Sequence, residues 1–205
     1  MNILSALFGK KHNVQSEEAC KYKGWFDIAV RAKDGRIKEG RVVHNLITSA
    51  GKAGAASRLN GSGAAAAFTY LAVGTGATAA AVGDTTLQTE TVGSGLSRVN
   101  ATASLVTTSV SNDTAQLQNT FSVSGTVAVT EAGILNASSA GTLLCRQVFS
   151  AVNVVSGDSF DTQPAGVDGM VVLVKAQPSL QGSLIDFLQA LPASRCGPWV
   201  DRKST

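Results

Sequence analysis

Through most of the stretch from Trp25 to Val174, apolar residues recur at every second position in short runs, and Gly, Asn, Asp or Pro cuts each run off. This patterning constrains the chain more than any other feature. A period of two belongs to a strand with one buried face. Short strands at close spacing belong to an antiparallel β-sandwich or jelly roll rather than to a parallel α/β sheet. The expected fold is therefore mainly β.

The first strong element is a hairpin over 25–43. Phe26, Ile28 and Val30 alternate with Asp27, Ala29 and Arg31, and Asp34-Gly35 favours a type I′ turn because both residues tolerate positive φ. Lys33, Arg36, Lys38 and Arg41 then decorate the tip and the exposed face, where charge discourages edge-to-edge aggregation. A short helix is expected over 45–60, capped by Thr48 or Ser49 and ended by Gly61. Gly51 and Gly54 each weaken it by about 1 kcal/mol relative to Ala, so tertiary contact has to hold it.

The segment Phe68–Glu90 is the centre of the chain. Tyr70-Leu71-Ala72-Val73 reads as a strand, Gly74-Thr75-Gly76 breaks it, and small residues lead to a second turn at Gly83-Asp84. Such a composition suits a strand feeding a backbone-dominated loop. Further strands follow at 99–105, where the phase slips at Val106 as in a bulge, then around Leu117–Val123, over 127–135 and over 143–155. Met170–Val174 is apolar on both faces and is expected at the centre of a sheet.

Three parts follow: an N-terminal arm (1–20), a β-sandwich domain (21–175), and a C-terminal helix with a tail (176–205). In the last part, Leu180, Leu184, Phe187, Leu188 and Leu191 recur at helical spacing, which makes an amphipathic helix. Ile3, Leu4, Leu7 and Phe8 give the arm one apolar side, in a segment too short to be a stable helix alone. Ile3, Leu4, Leu7, Phe8, Leu184, Phe187, Leu188 and Trp199 are the candidate subunit-interface positions. Cys20 and Cys196 lie in polar terminal segments and are candidates for an intermolecular disulfide in an oxidising medium. Cys145, in an apolar strand, reads as a core residue.

Charge narrows the function. Only 15% of the 205 residues are charged, against about 25% in an ordinary globular chain. A chain so rich in Ala, Gly, Ser, Thr and Val suits a module held among neighbours. The net charge of +3 comes from the first third: residues 59–174 contain two cations, Arg98 and Arg146. Aromatic platforms for nucleic acid are missing, so the basic hairpin reads as a solvated face. The N-terminal apolar run precedes its lysines, the reverse of a secretory signal. No run approaches the roughly 18 apolar residues of a membrane span. Synthesis in the cytosol follows, with no membrane or nucleic-acid partner expected.

Catalytic patterns are absent. Gly74-Thr75-Gly76 lacks the Gly-Lys-Thr/Ser of a phosphate loop, no serine sits in a Gly-x-Ser-x-Gly elbow, and neither His12 nor His44 has an orienting partner nearby. No enzyme activity, cofactor or metal is expected. Asp84, Asp113 and Asp158 sit in turns, where a carboxylate accepts backbone N–H bonds. Glu90 and Glu131 each flank an apolar run, and Arg98 is expected to pair structurally with one of them.

Asn45-Leu46-Ile47-Thr48, Tyr70–Gly76, Gly83-Asp84-Thr85-Thr86-Leu87, Glu131-Ala132-Gly133-Ile134 and Val148-Phe149-Ser150 follow one another in an order and spacing that resembles a family of tailed-bacteriophage virion proteins, described as tail-fibre, tail or neck-associated. The resemblance covers roughly 25–160. It implies a β-rich, non-enzymatic, oligomeric virion component. The bacterial host cytoplasm would make it, and it would contact portal, adaptor, tail, fibre or capsid subunits. A capsid decoration protein is the alternative, and a host-receptor or carbohydrate-binding fibre module a further one. After Phe160 the chain departs from the family pattern, with a loop, a strand, a helix and a Cys/Trp tail in place of a single closing strand.

Overall fold

The computed structural model describes residues 21–63, 65–109, 111–161 and 171–177. The arm with Ile3, Leu4, Leu7, Phe8 and Cys20, the 163–169 loop, and the C-terminal helix and tail with Leu184, Phe187, Leu188, Cys196 and Trp199 lie outside them.

The alternating residues at the start form the expected hairpin. Strand β1 (Lys21–Arg31) pairs with β2 (Ile37–His44), and Phe26, Ile28 and Val30 are buried. The turn differs from type I′. The Gly35 N–H donates to the Ala32 carbonyl, the Ala32 N–H donates to the Arg36 carbonyl, and Gly35 alone takes a positive φ, 84°. This is a three-residue loop with a left-handed glycine, the next most common hairpin solution. Asp34 accepts the Arg36 N–H and needs no left-handed backbone of its own.

The helix starts later than its sequence pattern indicates. Leu46–Ile47 form a two-residue strand, β3, paired with Cys145 and Arg146, and α1 covers Ser49–Asn60. Thr48 caps it: its hydroxyl accepts the Gly51 N–H at 2.9 Å and donates to the Leu143 carbonyl at 2.6 Å. Gly61, at φ 70°, ends it. Gly51 is there for space, since a Cβ would lie 2.1 Å from the Leu144 carbonyl oxygen.

The remaining strands are β4 (Tyr70–Gly74), β5 (Val99–Asn100), β6 (Thr102–Val106), β7 (Thr114–Gln118), β8 (Thr120–Ser122), β9 (Val127–Leu135), β10 (Leu143–Val154), β11 (Ser159–Asp161) and β12 (Val171–Gln177). They form two antiparallel sheets. One has the order β6-β7-β12-β1-β11-β8 with β2 also on β1; the other runs β3-β10-β9-β4-β5. β12 lies between β7 and β1, an interior place that suits the apolar run 171–174 at its start. The expected bulge at Val106 does not occur. β6 stays in register with β7 from Thr102 to Val106, and the irregularity falls at Ala101, where the chain leaves one sheet for the other.

Phe26, Ile28, Val30, Phe121 and Phe160 of the first sheet and Leu71, Val73, Val129, Ile134 and Val152 of the second belong to one apolar cluster. Phe121 and Phe160 meet edge to face, with centroids 6.2 Å apart. Cys145 is fully buried in this cluster, and burial pushes its thiol well above the usual range. Among the described residues no helix is long and apolar enough to cross a membrane.

Candidate functional site

Strand β4 ends at Gly74, and the chain from 75 to 98 folds back beside it. Thr75 donates to the Thr89 carbonyl, Thr91 to the Val73 carbonyl, and Gly74 bridges to Glu90. The loop closes over the side chain of Glu131, which lies opposite Gly74 on β9 and is fully buried.

Four donors converge on that carboxylate. Oε1 accepts the Gly76 N–H at 3.1 Å and the Thr89 N–H at 2.7 Å; Oε2 accepts the Gln88 N–H at 3.0 Å and Arg146 Nε at 2.7 Å. A buried carboxylate with all four acceptor positions filled replaces its lost water with fixed dipoles. The glycines on either side of Thr75 make room for it: a Cβ on Gly74 would sit 2.6 Å, and one on Gly76 2.5 Å, from Glu131 Oε1. Thr130 donates its hydroxyl to the Gly76 carbonyl, holding the same turn from the next residue of β9.

Arg146 is the second half of the site. It pairs with Gly133 in the β9–β10 ladder, so Glu131 is its diagonal neighbour on the same face. Beyond Glu131 it reaches Asp84 Oδ2 at 2.8 Å and the Thr78 carbonyl at 3.0 Å. Burial works against its charge, but Glu131 and Asp84 outweigh that and hold the guanidinium above its ordinary value. The Ala81 N–H, opposed by partial burial and helped by Arg146, keeps the Asp84 carboxyl below the usual range. Leu87, a few residues on, packs with Ala72, Leu135 and Leu143, over the space that the absent side chain of Gly133 leaves.

Of the two pairings the sequence leaves open for Arg98, the structure has the one with Glu90, in a two-pronged pair at 2.8 and 2.5 Å, and not the one with Glu131; Arg98 Nη1 also donates to the Ala137 and Ala140 carbonyls. That pair ties the end of the loop to the tip of the β9–β10 hairpin. Glu131 belongs to Arg146 because strand register, not chain proximity, decides which cation shares its face. The sequence reading missed Arg146 as a site residue. The available signal was that it is one of only two cations between 59 and 174.

Elsewhere, Asp158 accepts Lys38 Nζ at 2.6 Å and the Val155 N–H at 3.0 Å, and the ammonium group keeps its carboxyl low despite burial. Asp113 accepts the Thr108 and Ser109 N–H groups. These turn aspartates do what their positions foretell, and Asp84 and Asp158 each add a long-range cation. His44 closes β2 on the surface. Among the described residues no group of three His, Cys, Asp or Glu could hold a metal ion.

The arrangement is thus a buried network that shapes backbone. Glu131 has no acceptor position left for a substrate proton, and its cation is committed to three oxygens. Comparison with protein-family models, with curated proteins and with solved structures finds no match to this chain.

Proposed function

We propose that this chain is a non-enzymatic structural protein of a tailed-phage virion, an oligomeric β-rich module at the neck, tail or fibre base. One observation carries the reading. Three of the segments that resemble the virion family, 70–76, 83–87 and 131–134, meet around Glu131: Gly74 and Gly76 make its space, Asp84 shares Arg146, and Leu87 covers Gly133. Low-complexity motifs that match by chance have no reason to converge in three dimensions. These ones are the parts of a single fold-determining cluster, which is what a family of scaffolds shares.

Two further features support it. The buried ionic groups are committed to holding loops, so the domain offers shape rather than reactive chemistry. The shared apolar cluster also supports a face-to-face sandwich of the two sheets, a rigid body suited to assembly. Cryo-EM density for the particle tests the proposal directly. A few to a few dozen copies at the neck, tail or fibre base agree with it. Hundreds of copies on the shell make the protein a capsid decoration protein instead. Absence from the particle, with small-molecule turnover by the isolated chain, overturns it.

A further inference from the structure

The ends of the two sheets are protected unequally. β3 and β5 have two residues each and β8 has three, too short to template another strand. β2 is longer, but Lys38, Glu39 and Arg41 lie along it. β6 differs. Its five residues, Thr102-Ala103-Ser104-Leu105-Val106, carry no charge, no Pro and no Gly, and the first four are exposed. Among the described residues its only strand partner is β7. Leu105 is 62% exposed and, with Arg58, Phe68, Ala115, Leu117 and Ile134, lines an open cleft of about 380 Å³ that runs beside this edge.

We infer that β6 is the seam of a two-fold homodimer, in which β6 of a second copy pairs antiparallel with it and joins two seven-stranded sheets into one. The sequence of the strand is complementary to itself. A two-fold axis through Ser104 sets Thr102 opposite Val106 of the partner subunit, Ala103 opposite the partner's Leu105, and Ser104 opposite the partner's Ser104. On the cleft side a small residue meets a large one twice; on the other side two hydroxyls meet, flanked by β-branched pairs. No like charges are brought together. A foreign strand would gain the same backbone bonds, but nothing on this edge would choose it over the identical copy, which is present at equal concentration. The inference rests on the edge alone and not on the virion reading.

The test is a cysteine scan in the full-length chain carrying Cys20→Ser and Cys196→Ser, with Cys145 left in the core. Opposed residues have Cβ atoms about 4.5–5.5 Å apart, close enough for a disulfide after small adjustment. Ser104→Cys is therefore expected to give a disulfide-linked dimer under mild oxidation. Thr102→Cys alone gives no disulfide-linked dimer, and an equimolar mixture of Thr102→Cys and Val106→Cys chains gives a disulfide-linked heterodimer. Adding Leu105→Lys to Ser104→Cys abolishes the cross-link; because Leu105 is exposed, circular dichroism is expected to show an intact fold. If Ser104→Cys gives no disulfide-linked dimer, or Thr102→Cys cross-links with itself as readily, the proposal fails.

Discussion

Replacing Glu131 with Gln changes one atom, and the structure says that it should be costly. Each carboxylate oxygen faces two donors: the Gly76 and Thr89 amides on one side, the Gln88 amide and Arg146 Nε on the other. Whichever way the Gln amide turns, its NH2 meets two N–H groups, and Arg146, with a side chain only 3% exposed, loses its fully buried counter-charge. Removing one partner of a buried pair costs about 3–5 kcal/mol; Asp84, still 2.8 Å from Arg146, holds the loss toward the lower end, which remains a large share of the roughly 5–15 kcal/mol that holds a domain together. For a chain of this size the melting temperature should fall by on the order of 10 °C. Urea unfolding of Glu131→Gln measures the loss, and hydrogen exchange locates it: the amides of Gly76, Gln88 and Thr89 should lose protection first. The double variant Glu131→Gln/Arg146→Met should be less destabilised than the two single losses sum to, because it removes the cation together with the charge it faced. A cost below about 1 kcal/mol for Glu131→Gln, the range of an exposed pair, would refute the view that this carboxylate organises the loop.

Other sites give independent checks. Gly51→Ala should destabilise by about 1–3 kcal/mol despite its gain in helix propensity, because the new methyl group meets backbone at Leu144. Gly54→Ala, which meets only the edge of the Phe68 ring, should cost less in the same denaturation assay. Asp158 has its carboxyl lowered by Lys38, so the stability it contributes is complete above the ordinary carboxylate value of about 3.9 and is lost as pH falls through the lower folded value. Lys38→Met should therefore be clearly less stable than the parent at pH 7 and nearly equal to it in strong acid; a constant gap in urea midpoints would contradict this. Asp27 has the opposite sign. Burial raises its carboxyl, so its ionisation opposes folding as pH rises through that raised value. Asp27→Asn should raise the melting temperature at pH 7 and leave it unchanged in strong acid.

The sequence alone settled what short-range physics settles. Phe26, Ile28 and Val30 alternate, so they had to share a face. Thr48 and Gly61 bracket a helix whatever surrounds it, because capping needs only the first and last turns. Asp84, Asp113 and Asp158 accept neighbouring amides because a turn brings those amides to them. Tertiary structure decided the rest. Leu46–Ile47 became a strand rather than helix because β10 offered a ladder. The chain broke at Ala101 rather than Val106 because that is where it crosses between sheets. Glu131 took Arg146 rather than Arg98 because the register of β9 and β10 puts those two side chains on one face; chain order makes these strands a hairpin, but the irregularities between Leu143 and Cys145 and between Val148 and Val152 set its register, and only the folded sheet fixes those.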